Sequence, residues 1–217
     1  AGQEEINQKE AKSGKEEGTN QKEATQEESE HKNPEQTVYR GMRKSGGAAR
    51  GTAYHRALEL MLGEAFSSSG QVAHRLDMLV EEGRLLKEAR KLVNARVLWE
   101  FFQSPLGKRM IQAGKEKRLH KEQQFMIGIP AREMDLADSD ELVLVQGMID
   151  AYIEEEDSLV LVDYKTDFVK EKEELLHRYH VQMQYYIRAL EQVTGKRVKE
   201  VLIYSLSLQK EVRVEHV

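Results

Sequence analysis

A chain of 217 residues has room for one ordinary domain or two small ones. It holds no cysteine, which excludes a disulfide framework, thiolate catalysis and any zinc or iron–sulfur centre held by cysteine, and fits a reducing compartment. It has neither an apolar run of about 18 residues nor a basic start leading into an apolar stretch, so it shows no membrane-spanning helix and no secretory signal.

The formal net charge of −5 is unevenly placed. Residues 1–37 carry ten Glu against five Lys, which leaves the remainder neutral on average and free to form a local basic groove. The same 37 residues hold one large aliphatic side chain, Ile6, and no aromatic. Such a segment buries too little apolar area to offset the entropy of ordering it. It reads as a disordered acidic linker, with a single domain over 38–217 that begins near Val38–Tyr39. The first residue is Ala, which fits a piece of a longer polypeptide.

GGAARGT (46–52) is Gly-rich but lacks the Lys of a phosphate-binding loop, so it reads as a flexible entry to the first helix. Over 51–66, Tyr54, Leu58, Met61 and Leu62 recur at helical spacing, and residues 71–103 continue as helix. Ser104–Pro105 pairs an N-cap residue with a proline at the first helical position and starts a further short helix. After about residue 120 the pattern changes. Residues 123–131, 142–155 and 158–167 are rich in Val, Ile, Leu and Tyr and read as strands, with a hairpin turn at the acidic 154–158. Helix returns over 177–195, closed by Gly195. Two more strands follow over 198–208 and 210–217. The order of helices, three strands, helix and two strands predicts an α/β fold, a mixed sheet of about five strands flanked by helices.

Two neighbouring strands each carry an acid. Asp150 ends VQGMID, and Asp163 ends LVLVD with Lys165 two residues on. Alternate residues of a strand share a face, so Asp163 and Lys165 project together, and hairpin pairing brings Asp150 beside them. Buried carboxylates need a partner or a cation. A structural Asp–Lys ion pair meets this pattern, and so does a site for a hard divalent ion. His55 lies at the border of the apolar face of its helix, with Glu59 one turn on, as a partner of the site or a solvated charge. Gln182 lies at the edge of an apolar face centred on Tyr179, Met183, Tyr186 and Leu190, where an amide can orient a phosphate or a lysine. Tyr186 fits core and site equally.

Taken together, GTAYH (51–55), QGMID (146–150), LVDYKTD (161–167) and YHVQMQYYIRAL (179–190) resemble the ordered motifs of RecB-type nucleases in the PD-(D/E)xK superfamily. The chain looks most like the C-terminal nuclease domains of AddA-type (RexA-type) helicase/nuclease subunits. The missing cysteines argue against the iron–sulfur relatives. The resemblance implies a restriction-endonuclease-like core and Mg²⁺, with Mn²⁺ able to substitute, held by Asp150, Asp163, His55 and the backbone carbonyl of Tyr164. It implies that Lys165 positions or deprotonates the attacking water, and that Gln182 and Tyr186 hold the site and the strand. It further implies DNA, mainly single-stranded, as substrate. The partners it implies are a helicase in the same polypeptide and an AddB-type subunit, in double-strand break repair and recombination in the bacterial cytoplasm. A catalytically silent DNA-binding module and a free-standing exonuclease are the alternatives.

Overall fold

The computed structural model describes residues 46–134 and 138–215. The linker expected over 1–37 and the expected domain start near residue 38 lie outside them. The first helix, α1 (Gly46–Met61), begins inside the Gly-rich run that the sequence assigns to a flexible entry. Ala49 is buried and the Thr52 hydroxyl donates to the Ala48 carbonyl at 3.1 Å, so the run is packed helix. Gly51 serves close approach instead of flexibility: a Cβ there would lie 3.2 Å from Thr166 Oγ1.

The long helical stretch expected over 71–103 is three helices, α2 (Ser69–Glu81), α3 (Lys87–Leu92) and α4 (Ala95–Gln103). Gly83, at φ 72°, turns the chain after the first, and the Asn94 side chain caps the third by accepting from Arg96 N–H at 2.9 Å. Helix α5 (Pro105–Lys115) starts as its sequence predicts, with Ser104 Oγ accepting from Gly107 N–H at 3.0 Å.

Five strands follow: β1 (Leu119–Pro130), β2 (Leu142–Glu155), β3 (Ser158–Lys165), β4 (Arg197–Ser205) and β5 (Lys210–Val214). They form one sheet in chain order, antiparallel except for β3 and β4, which run parallel and are joined by α6 (Lys172–Thr194). Val160, Val162 and Tyr164 of β3 face a core shared with α1–α5, and Leu159 and Leu161 face a second core under α6. Coverage on both faces explains the unbroken apolar run of this strand. Among the described residues no helix is long and apolar enough to cross a membrane.

The sheet is forked. β2 pairs with β3 only from Glu155↔Ser158 to Ala151↔Val162. Beyond that point β2 continues beside β1 to Leu142, and β3 continues beside β4 to Lys165. The closed end of the fork is tied by Arg109 of α5, which donates two hydrogen bonds of 2.9 Å to the Glu155 carboxylate on β2 and one of 2.7 Å to Glu200 on β4.

Candidate active site

The open end of the fork brings the strand acids together. Continuing the register one step past Ala151↔Val162 sets Asp150 opposite Asp163, and both are buried, at 8% and 1% exposure. Where the strands part, a side chain replaces the missing ladder bond: Asp150 Oδ2 accepts from Tyr164 N–H at 2.8 Å. Its other oxygen, Oδ1, lies 3.0 Å from His55 Nδ1 on α1. Burial opposes a charge on His55, but the hydrogen bond to Asp150 and the charges of Asp150 and Asp163 outweigh it and hold the imidazole above its ordinary pKa.

Lys165 shares its strand face with Asp163, as alternation requires. Its Nζ lies 2.8 Å from Asp163 Oδ2, a buried ion pair. Lys165 Nζ also donates to Gln182 Oε1 at 3.1 Å, and sits 4.2 Å from the centre of the Tyr179 ring. Gln182 Nε2 in turn donates to the Tyr186 hydroxyl at 2.6 Å. The Tyr186 ring meets Phe125 edge-on at 5.5 Å. A Cβ at Gly147 would approach the Phe125 ring to 2.8 Å, so the glycine of QGMID makes room for the aromatic pair that seats Tyr186. Tyr186 thus belongs to both core and site. The side chain of Tyr164 points away, into the helical core, where its hydroxyl meets Met110 Sδ at 3.3 Å.

Glu122 joins the cluster without having been anticipated. β1 starts at Leu119, four residues earlier than its apolar pattern indicates, and Glu122, in a left-handed conformation at φ 50°, is half-buried near the fork. Burial, then the charges of Asp150 and Glu59, push its carboxyl up to about 7. Burial and the charge of Asp150 likewise push Asp163 up to about 7, against the pull of Lys165. Glu59 itself is paired with Arg56 at 2.7 Å. Asp167, also outside the expected set, accepts from the Tyr179 hydroxyl at 2.7 Å and from Arg178 at 3.1 Å, fixing the segment after Lys165.

Among the described residues no three His, Asp or Glu side chains gather tightly enough to hold a metal ion by themselves. The donor chemistry nonetheless fits a hard divalent cation. Two buried carboxylates lie opposite each other, and the charge of Asp150 disfavours that of Asp163; such ions commonly complete their shell with water, backbone or phosphate oxygens. Beside this cluster opens a cleft of about 800 Å³, lined by Arg50, Gly51, His55, Lys165, Asp167, Phe168 and Tyr179 among others.

Residues 14–216 match the PD-(D/E)XK nuclease superfamily. The chain belongs to that superfamily. In this PD-(D/E)XK chain the D-x-K element is Asp163–Lys165, and the fork is the frame that carries it. Its relatives include the ATP-dependent helicase/nuclease A-subunit of Lachnoclostridium phytofermentans, 37% identical across 78% of this chain and 15% of the relative. The proteins of the same name from two Clostridium botulinum strains are 34% and 35% identical, over 80% of this chain and 14% of each relative. The chain therefore spans about 15% of the length of the relatives it matches. PD-(D/E)XK nucleases generally use divalent metal ions.

Proposed function

We propose that this chain is a metal-dependent deoxyribonuclease domain that hydrolyses phosphodiester bonds of single-stranded DNA. The observation that carries this reading is the meeting of Asp150 and Asp163 at the splayed end of the sheet, with Lys165 paired to Asp163 and held there by Gln182. Asp150, Asp163 and the Tyr164 carbonyl would hold Mg²⁺, or Mn²⁺ in its place, with His55 beside it. The ion, when bound, polarises a phosphoryl oxygen and lowers the pKa of a bound water.

The side chains divide the remaining work. Gln182 and the Tyr179 ring hold Lys165 Nζ in place, so its charge faces the phosphate and its position orients the attacking water. Tyr186 locks Gln182, and Phe125 locks Tyr186, so the amide is preorganised before DNA arrives. His55 keeps Asp150 Oδ1 in one orientation. The relatives are named as helicase/nuclease subunits, which supports a role downstream of an attached helicase, as an exonuclease on the strand it delivers. An AddB-type partner, double-strand break repair and recombination, and the bacterial cytoplasm complete the reading.

The test is cleavage of an end-labelled single-stranded oligonucleotide by this chain with Mg²⁺, with and without EDTA. Degradation that stops with EDTA and is absent in Asp150→Ala supports the reading. Cleavage that persists in EDTA, or in Asp150→Ala, overturns it.

A further inference from the structure

Between β3 and α6, residues 166–168 run along the rim of the cleft. Phe168 sits there at 82% exposure, the highest of any large apolar side chain among the described residues. Its exposure does not come from a slack loop. On one side Asp167 is fixed by Tyr179 and Arg178, and its carbonyl accepts from the Ser207 hydroxyl at 2.7 Å. On the other side Val169 is 3% exposed in the core under α6. A backbone anchored at both neighbours holds the ring in water at the mouth of the cleft. Three residues of extended chain reach about 10 Å at most, so the ring stays close to Lys165. Arg50 lines the same cleft.

A phenyl ring so held adds almost nothing to the buried area of the fold. It offers a flat apolar face in the cleft that Lys165 and Arg50 also line, at little further loss of conformational freedom. That is the chemistry of a base-stacking platform. Resting on the reading of this cleft as a DNA nuclease centre, we infer that Phe168 stacks on the base of a nucleotide adjoining the scissile phosphate in single-stranded DNA. Bases within a duplex already stack on their neighbours, so the ring favours an unpaired strand. Every base has a π face, so it does so without reading sequence.

The experiment compares wild type, Phe168→Ala and Phe168→Trp in binding oligothymidylate and an abasic oligonucleotide of equal length, at one salt concentration and with calcium as the only divalent ion. Wild type should prefer oligothymidylate. Phe168→Ala should weaken that binding by about 5- to 150-fold, the range set by loss of one base–aromatic contact, and leave abasic binding unchanged. Phe168→Trp should restore it. In cleavage with Mg²⁺, Phe168→Ala should raise KM for single strands with kcat nearly unchanged, as loss of uniform binding requires. Equal weakening of both oligonucleotides would overturn the inference, because the lost contact would then not be to a base. Unchanged binding of both would overturn it too and leave the ring as a contact for protein. If wild type neither binds nor cuts DNA, the reading of the site itself fails, which is a different result from a silent Phe168→Ala.

Discussion

Replacing Asp163 with Asn separates two uses of a buried Asp–Lys pair. If the pair is structural, removing one partner strands the Lys165 charge and costs about 3–5 kcal/mol. If the pocket is shaped for a cation, the metal-free protein carries two carboxylates in mutual repulsion, and Asn relieves it. A carboxyl moved from 3.8 to about 7 by burial and by Asp150 carries a penalty of about 4 kcal/mol when ionised near neutral pH. That shift is already net of the pull of Lys165, and in the variant Lys165 retains Gln182 and the Tyr179 ring. In EDTA near neutral pH, Asp163→Asn should therefore exceed wild type in stability, by up to about 4 kcal/mol, with cleavage abolished. The folded pKa of Asp163 lies above the unfolded one, so the folded state binds more protons and wild-type stability falls as pH rises from about 4 to about 7. The penalty is absent below that window, so the relief that Asn gives should shrink as the solution is acidified. Urea unfolding in EDTA across this range measures it, and a parallel series in Mg²⁺ should raise the wild-type midpoint and leave Asp163→Asn unmoved. A loss of about 3–5 kcal/mol in EDTA near neutral pH would refute the reasoning and leave Asp163 as half of a structural ion pair.

Lys165→Ala should lower the cleavage rate roughly 10²–10³-fold, as loss of a transition-state donor does, with DNA affinity at fixed salt nearly unchanged; Lys165→Arg should not restore activity, because a guanidinium stays protonated and its planar fork misfits a point-charge site. The carboxyl of Glu122 is held at about 7 by burial and by Asp150, so Glu122→Gln should stabilise the metal-free protein at pH above that value and leave it unchanged in acid, as read by the same unfolding series. Arg109→Ala should cost about 1.5–3 kcal/mol in urea unfolding, since it removes charge-assisted bonds to both Glu155 and Glu200; no loss of stability would show that the closed end of the fork is held by pairing alone.

The helices that carry the core and the strands that carry the acids were legible because their side chains obey simple periods. Asp163 and Lys165 sit two apart on a strand and do share a face, and Gln182, placed by helical spacing at the edge of an apolar face, does meet Lys165. What escaped depends on where pairing stops. The period of β2 is visible in the sequence, but its separation from β3 before Ala151 is not, because that is a property of two strands and their neighbours. Glu122 was hidden for a related reason: β1 begins in the polar stretch LHKEQQ, which shows no alternation until Phe125. The breaks within 71–103 were marked by Gly83 and by the Asn94 cap, and the apolar spacing across them obscured the marks. The Gly-rich 46–52 misled because glycine serves two ends, freedom and proximity, and only the packing against Thr166 distinguishes them.

The forked sheet makes the gap between Asp150 and Asp163 a dimension that is set elsewhere. It behaves as the jaw of a pair of tongs whose pivot is the Ala151–Val162 pair and whose handles are joined by Arg109. Mg²⁺ and Ca²⁺ differ in ligand distance by only a few tenths of an ångström, so, with a metal held as proposed above, a slight change of spread would decide which ion the two carboxylates take in working geometry. Metal preference in such a frame would then be retuned by substitutions at the handle end, five residues along β2 from Asp150 at Glu155, without any change to Asp150 or Asp163.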